Sequence, residues 1–123
     1  MNNSTRNIKI IGAGSIGNHL ANAARTLGWD VTLCDIDSVA IQRTKNEIYP
    51  GRYKKWDDKI KLSLVKDAKK GIYDIIFIGT PPEFHIKLAL DSIKENPLAI
   101  CIEKPLTTPD LKKVNELQER ISE

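Results

Sequence analysis

Gly12, Gly14 and Gly17 stand in the order G-x-G-x-x-G. The string Gly12-Ala13-Gly14-Ser15-Ile16-Gly17 follows an apolar run, Ile8 to Ile11, and precedes a helical pattern. In that context each glycine has its own physical task. Gly12 permits a tight turn, Gly14 leaves no Cβ where a ligand must approach the backbone, and Gly17 lets a helix pack closely on the preceding strand. The N–H groups of Ser15 and Ile16 open the helix without intrahelical partners, and the helix dipole adds positive potential there. Such a loop suits an anion, and the pyrophosphate of a dinucleotide fits it.

An acidic residue at the end of the next strand completes that reading. Asp35 closes the run Val31 to Cys34 and lies 18 residues after Gly17. A carboxylate there accepts hydrogen bonds from ribose hydroxyls and repels a 2′-phosphate. No arginine follows at once to rescue the phosphorylated form. NAD is therefore expected as cofactor, with NADP less favoured.

Two further motifs follow later strands: Gly79-Thr80-Pro81-Pro82-Glu83-Phe84-His85, and Glu103-Lys104-Pro105-Leu106 after Ile100 to Ile102. Both fall at carboxyl ends of strands, where open α/β sheets bind ligands. With the glycine loop, their order and spacing resemble the Gfo/Idh/MocA family of oxidoreductases, over essentially the whole chain from Ile8 onward. The resemblance implies an NAD(P)-dependent dehydrogenase acting on a hydroxyl of a sugar or cyclitol-like substrate. It assigns Gly12, Gly14, Ser15, Ile16 and Gly17 to the pyrophosphate and Asp35 to the ribose. It places Thr80, Pro81 and His85 along the cofactor cleft, and Glu103 and Lys104 facing the nicotinamide and substrate. Lys104 is the expected catalytic residue, hydrogen-bonded to the reacting oxygen, and Pro105 would stiffen the turn that aims it.

The elements needed to position these residues are legible as strands alternating with helices. That pattern favours an α/β, three-layer Rossmann fold with a mostly parallel, doubly wound sheet. A helix is expected from Ser15 to Leu27, buried through Ile16, Leu20, Ala24 and Leu27, with Gly28 ending it. Asp37 or Ser38 caps a second helix carrying Ile41, Thr44 and Ile48, which Pro50-Gly51 should stop. Ile60 to Val65 reads as an edge strand and Lys66 to Lys70 as one helical turn. Asp74 to Gly79 and Leu98 to Ile102 read as buried strands. A helix between them, opened by Pro81-Pro82, carries Ile86, Ala89, Leu90 and Ile93 and ends at Asn96-Pro97. Thr108-Pro109-Asp110 starts a last helix with Leu111, Val114, Leu117 and Ile121 on one face.

The 123 residues suit one domain, so residues 1–123 read as one NAD(P)-binding Rossmann domain. The second, substrate-gripping domain that the family implies is expected to be absent from these residues, and they alone are expected to be inactive. Oligomerisation is expected of a full-length protein. The net charge of +3 is too small to call for a nucleic-acid or membrane partner. Arg52, Tyr53, Lys54, Lys55, Trp56, Lys59 and Lys61 mix cations with aromatics, but Asp57 and Asp58 interrupt them. They read as a solvated connection anchored by Tyr53 or Trp56, and His19 as a surface or packing residue. Cys34 and Cys101 sit in apolar runs and read as buried, reduced thiols in a cytoplasmic protein. No metal site is expected. No apolar run approaches the roughly 20 residues that span a bilayer. The main rival reading is a stand-alone NAD-sensing regulatory domain of a transporter or channel, which has no reason to carry Glu103-Lys104-Pro105. Methyl transfer from S-adenosylmethionine is a third, less compatible with the two later motifs.

Overall fold

A computed structural model describes residues 5–106 and 114–122. Five strands form one sheet: β1 (Asn7–Ile11), β2 (Asp30–Asp35), β3 (Lys61–Leu64), β4 (Ile75–Ile78) and β5 (Ala99–Ile102). Their order is β3-β2-β1-β4-β5 and every pairing is parallel. The chain thus winds outward from β1 in one direction, then crosses back and winds in the other. The reversal lies between β1 and β4, the crevice where such sheets hold ligands.

Strand residues alternate between two cores, as a period of two requires. Ile8, Ile10, Val31 and Leu33 point to one face and pack with Ala21, Ala24, Tyr49 and Ile60. Ile11, Cys34, Ile76 and Ile78 point to the other and pack with Ile86, Ala89, Leu90 and Leu117. The first face carries α1 (Ser15–Thr26), then α2 (Ser38–Arg43) and α3 (Tyr49–Tyr53). The second carries α4 (His85–Ile93) and α5 (Val114–Ser122). The proposed start of α5 at Thr108-Pro109-Asp110 and its position Leu111 lie outside the described residues.

Three local readings are corrected. α1 buries Gly17, Asn18, Ala21 and Ala24, while Ile16 and Leu27 are exposed. Small residues face the sheet because the helix lies close to it, and bulky side chains are turned outward. Second, Pro50-Gly51 does not stop the second helix. Asp37 caps it as expected, its carboxylate accepting from Val39 N. A π segment at Thr44–Ile48 then bridges α2 to α3, with Tyr49 N bonded back to Thr44 O. In that wider turn residue 50 need not donate to the carbonyl four residues back, so proline is accommodated. The chain leaves α3 only at Lys54, where φ is +77°. Third, β5 is an edge strand and is only partly buried. Leu98 is exposed, and so is Cys101, which alternates onto the face of β5 that no described helix covers.

Lys9 is a charged residue in the central strand and is only 3% exposed. Its Nζ lies 2.6 Å from Glu95 Oε2 and 4.9 Å from the centre of the Tyr73 ring, and Glu95 Oε1 accepts from Gly71 N at 3.1 Å. A buried charge is tolerable only with a partner this close. Glu95→Ala should therefore destabilise the fold by about 3 kcal/mol, read from urea unfolding.

The two thiols should differ sharply. Burial pushes the Cys34 thiol from 9.0 up to about 12, against the opposing effect of Lys9. The folded state holds that proton more tightly, so this stabilisation is complete below pH 9 and is lost as pH rises toward 12. At pH 8 a maleimide should label Cys101 quickly and leave Cys34 untouched until the chain is unfolded. Equal labelling of both thiols in the native state would contradict this packing.

Candidate cofactor site

The site is assembled from the carboxyl ends of four strands. The parallel ladder continues just past each strand and pins the loops. Gly12 N donates to Cys34 O at 2.7 Å, Gly79 N to Ile11 O at 2.8 Å, and Glu103 N to Ile78 O at 2.9 Å. The glycine loop, the Thr80 loop and the Glu103 loop are thereby set side by side.

Two glycines are required by contact distances. Gly12 has φ +119°, and a Cβ there would lie 2.8 Å from the carbonyl carbon and oxygen of Gly79. A Cβ on Gly17 would lie 1.9 Å from Gly12 O, so α1 could not approach the loop. Gly14 differs: nothing lies within 4 Å of its would-be Cβ, and the residue is exposed. That open space is on the side of the helix start. Ser15 and Ile16 are likewise exposed. The cap residue Gly14 supplies no side-chain hydrogen bond to the helix, and the first turn of α1 holds no acid. The opening N–H groups and the positive end of the helix are left for an external anion. The fit to a dinucleotide is good on these grounds.

Asp35 is half-buried and is already engaged with the loop. Its Oδ2 accepts from Ala13 N at 2.8 Å and its Oδ1 from Asp37 N at 3.0 Å. The carboxylate therefore shapes the loop as well as facing the end of β2. Two residues absent from the sequence reading of the site support the same loop from beneath. Asn18 Nδ2 donates to Gly14 O at 2.8 Å and to Thr44 Oγ1 at 3.1 Å, and the Thr44 hydroxyl donates to Ala13 O at 3.0 Å. Both side chains are fully buried. Asn18 lies off the stripe of Ile16, Leu20, Ala24 and Leu27 read from the sequence, so the helical period gives no signal for it. The π turn delivers Thr44. Arg52 was also missed: its guanidinium donates to Ser15 O at 2.9 Å and to Ser15 Oγ at 2.7 Å.

His85 is 1% exposed. Its Nε2 lies 2.6 Å from Thr80 O, and its Nδ1 lies 2.9 Å from Pro105 O and 3.2 Å from Leu106 O. Carbonyl oxygens only accept, so the ring is a donor toward the Thr80 loop, the Pro105 loop or both. It ties the two loops together from inside. Thr80 is buried, Pro81 exposed, Glu103 half-buried and Lys104 exposed, with no ion pair to Lys104 among the described residues. The Lys104–Pro105 peptide is cis. A groove of about 1060 Å³ opens beside the site on the α4 face, with Ile36, Val65, Thr80 and Phe84 among its walls.

A five-stranded parallel sheet with a glycine loop at its reversal point and an acid at the end of the second strand defines a dinucleotide-binding Rossmann domain. The chain belongs to the family described as the oxidoreductase family with NAD-binding Rossmann fold (GFO_IDH_MocA), which it matches over residues 6–123. No curated protein sequence matches it. Among solved structures it is similar to UDP-N-acetylglucosamine 3-dehydrogenase GnnA from Acidithiobacillus ferrooxidans, at 18% identity and a TM-score of 0.72, covering 97% of this chain and 34% of that one. Apo scyllo-inositol dehydrogenase from Lactobacillus casei is similar at 19% identity and a TM-score of 0.69, covering 99% of this chain and 34% of that one. (S)-3-hydroxybutyryl-CoA dehydrogenase PaaH1 from Ralstonia eutropha gives 21% identity and 0.59, covering 84% and 39%. At these identities the likeness is one of fold. The chain spans about a third of the length of the first two proteins. Among the described residues no helix is long and apolar enough to cross a membrane, and no group of three or more His, Cys, Asp or Glu residues could hold a metal ion.

His85→Leu keeps the volume and removes both ring nitrogens. It should cost about 1–3 kcal/mol, because buried carbonyls lose their donor. The Glu103 amide, which begins the tied loop and is bonded to Ile78 O, should exchange its hydrogen faster in the variant. Unchanged exchange there would show that the histidine does not hold the two loops together.

Proposed function

We propose that this chain is the cofactor-holding unit of a dehydrogenase that oxidises or reduces a hydroxyl-bearing carbon of a sugar or cyclitol-like substrate, with NAD preferred over NADP. The observation that carries the reading is the helix start at Ser15, which has open space at Gly14, no capping side chain and no acid in its first turn. The sugar-nucleotide and inositol dehydrogenases that share the fold support the substrate class.

In this reading the N–H groups of Ser15 and Ile16 hold the pyrophosphate, with Gly12, Gly14 and Gly17 giving the loop its shape. Asp35 meets the ribose hydroxyls and disfavours a 2′-phosphate. Thr80 and Pro81 line the cleft, and His85 acts from inside by fixing their loop to that of Pro105. When bound, the nicotinamide supplies the hydride acceptor or donor. Glu103 faces the nicotinamide and the substrate. Lys104 is the catalytic residue, its ammonium donating a hydrogen bond to the reacting oxygen and stabilising the negative charge that develops there. It is exposed and has no ion pair among the described residues, which suits that contact. The groups that grip the substrate belong to a second domain outside residues 1–123, and without them these residues hold cofactor but do not turn over substrate.

Calorimetric titration with NAD⁺, NADH and NADPH tests this reading. The NAD forms should bind more tightly than NADPH. Asp35→Ala should weaken NADH binding by about tenfold or more, the effect of losing a charged hydrogen-bond partner. It should also narrow the gap to NADPH. Lys104→Ala should leave NADH affinity unchanged within about twofold, since its contact is made to substrate. Failure of every dinucleotide to bind at millimolar concentration would sink the proposal.

A further inference from the structure

We propose that Arg52 is a pyrophosphate-binding residue, a cation brought to the glycine loop from α3 rather than from the loop itself. This rests on the dinucleotide reading above and adds a group to the same site.

The argument begins with an electrostatic mismatch. The first turn of a helix is positive and favours an acidic side chain. α1 has none there, and its cap residue Gly14 contributes no side chain. A guanidinium stands at this position instead, donating through Nη1 to Ser15 O at 2.9 Å and through Nη2 to Ser15 Oγ at 2.7 Å. A cation beside the positive end of a helix is unfavourable by itself. Among the described residues no carboxylate pairs with Arg52. Two positive features thus lie together, and the carboxylate at the loop, Asp35, is engaged by Ala13 N and Asp37 N. An external anion at the helix start relieves both at once.

The placement is built rather than incidental. Arg52 sits on a short helix whose two tyrosines are anchored. Tyr49 is buried and its hydroxyl donates to Asn22 Oδ1 on α1 at 3.2 Å. The Tyr49 ring packs against Tyr53 and Trp56, with centroids 4.8 and 5.2 Å away. The Tyr53 hydroxyl lies 3.3 Å from His19 Nδ1, also on α1. This aromatic cluster fixes α3 against α1 and so fixes where Arg52 emerges. The π turn that carries the chain past Pro50 sets the register.

The chemistry also suits a phosphate. A guanidinium carries five N–H donors, and Ser15 engages one on each of two nitrogens. Arg52 is exposed, and Gly14, the residue before Ser15, has nothing within 4 Å of a would-be Cβ, so the helix start has room for an anion within reach of the guanidinium's other donors. Guanidinium forks match phosphate oxygens in geometry and charge. The ligand class is a dinucleotide or ADP-ribose moiety bearing a pyrophosphate.

The competing role is a brace from α3 to Ser15, and the test separates the two. NADH and ADP-ribose are titrated calorimetrically into the full chain as wild type, Arg52→Gln and Arg52→Lys, at low and high salt. Thermal unfolding of each ligand-free protein is measured alongside. Arg52→Gln should weaken both ligands by about tenfold or more. Arg52→Lys should recover part of that loss, and the salt dependence of binding should be shallower in the glutamine variant. The ligand-free unfolding midpoints should agree, because the contact is exposed. Wild-type and glutamine proteins that bind within twofold of each other would overturn the role of Arg52 and leave the cofactor reading intact. An affinity loss with a matching fall in the midpoint and no recovery by lysine would overturn it in favour of the brace. Absence of binding by the wild type itself would overturn the cofactor reading and this proposal together.

Discussion

The carboxyl edge of this sheet depends on how closely α1 approaches the end of β1. With a Cβ on Gly17 placed 1.9 Å from Gly12 O, no other residue allows that approach. The same closeness dictates the face of α1. Ala21 and Ala24 lie against the sheet because nothing larger fits, and Asn18 is drawn under the loop, where it bonds the carbonyl of Gly14. Gly12 extends the constraint to β4, since its own Cβ would meet the backbone of Gly79. Loop, helix and β4 are therefore one packed unit. A change in any of the three moves the place where an anion would sit.

Most of the fold was legible because the strands are short apolar runs separated by strong local signals. The glycine loop, the strand-end Asp35 and the helix stop at Gly28, with φ +81°, each follow from local chemistry. The errors share a cause, which is that they concern relations between elements. Ile16 and Leu27 fit a helical stripe, but the distance of the helix from the sheet decides which stripe is buried. Pro50-Gly51 is a local stop signal that a π turn overrides, and the benefit of that turn, Thr44 against Ala13, is visible only in three dimensions. Cys101 and Leu98 belong to an apolar run, yet an edge strand has one flank open, and helices covering β1 to β3 on that face do not reach β5.

Motif spacing names the residues proposed to face the ligand, and the groups that support them left no motif. Motif spacing identifies Asp35, but it does not show that the carboxylate also holds Ala13 N and Asp37 N. Motif spacing likewise groups His85 with Thr80 and Pro81, whereas packing turns its ring inward onto the carbonyls of Thr80 and Pro105. Arg52 lies in a stretch whose cations and aromatics read as a solvated surface. Tyr49, three residues before Arg52 and outside that stretch, is buried and anchors the helix that returns Arg52 to Ser15. Contacts separated by 20 to 37 residues leave no periodic trace in a sequence.

The division of labour at the two ends of the site follows from electrostatics. At the glycine loop, positive potential is concentrated: helix N–H groups, the dipole and a guanidinium, with the Asp35 carboxylate bonded to backbone amides. That end has its attraction built in before any ligand arrives. At the Glu103-Lys104 end only the backbone is fixed, through Glu103 N to Ile78 O and through His85 to Pro105 O. Lys104 itself is exposed, and in water an ammonium is strongly hydrated and polarises little. In the role proposed for it, its electrostatic power over a reacting oxygen would rise only when water is excluded from around it. The described residues offer no cover over Lys104 that would exclude it. The fold thus prepares the affinity for a dinucleotide within one domain. The role proposed for Lys104 depends on water being excluded from that edge.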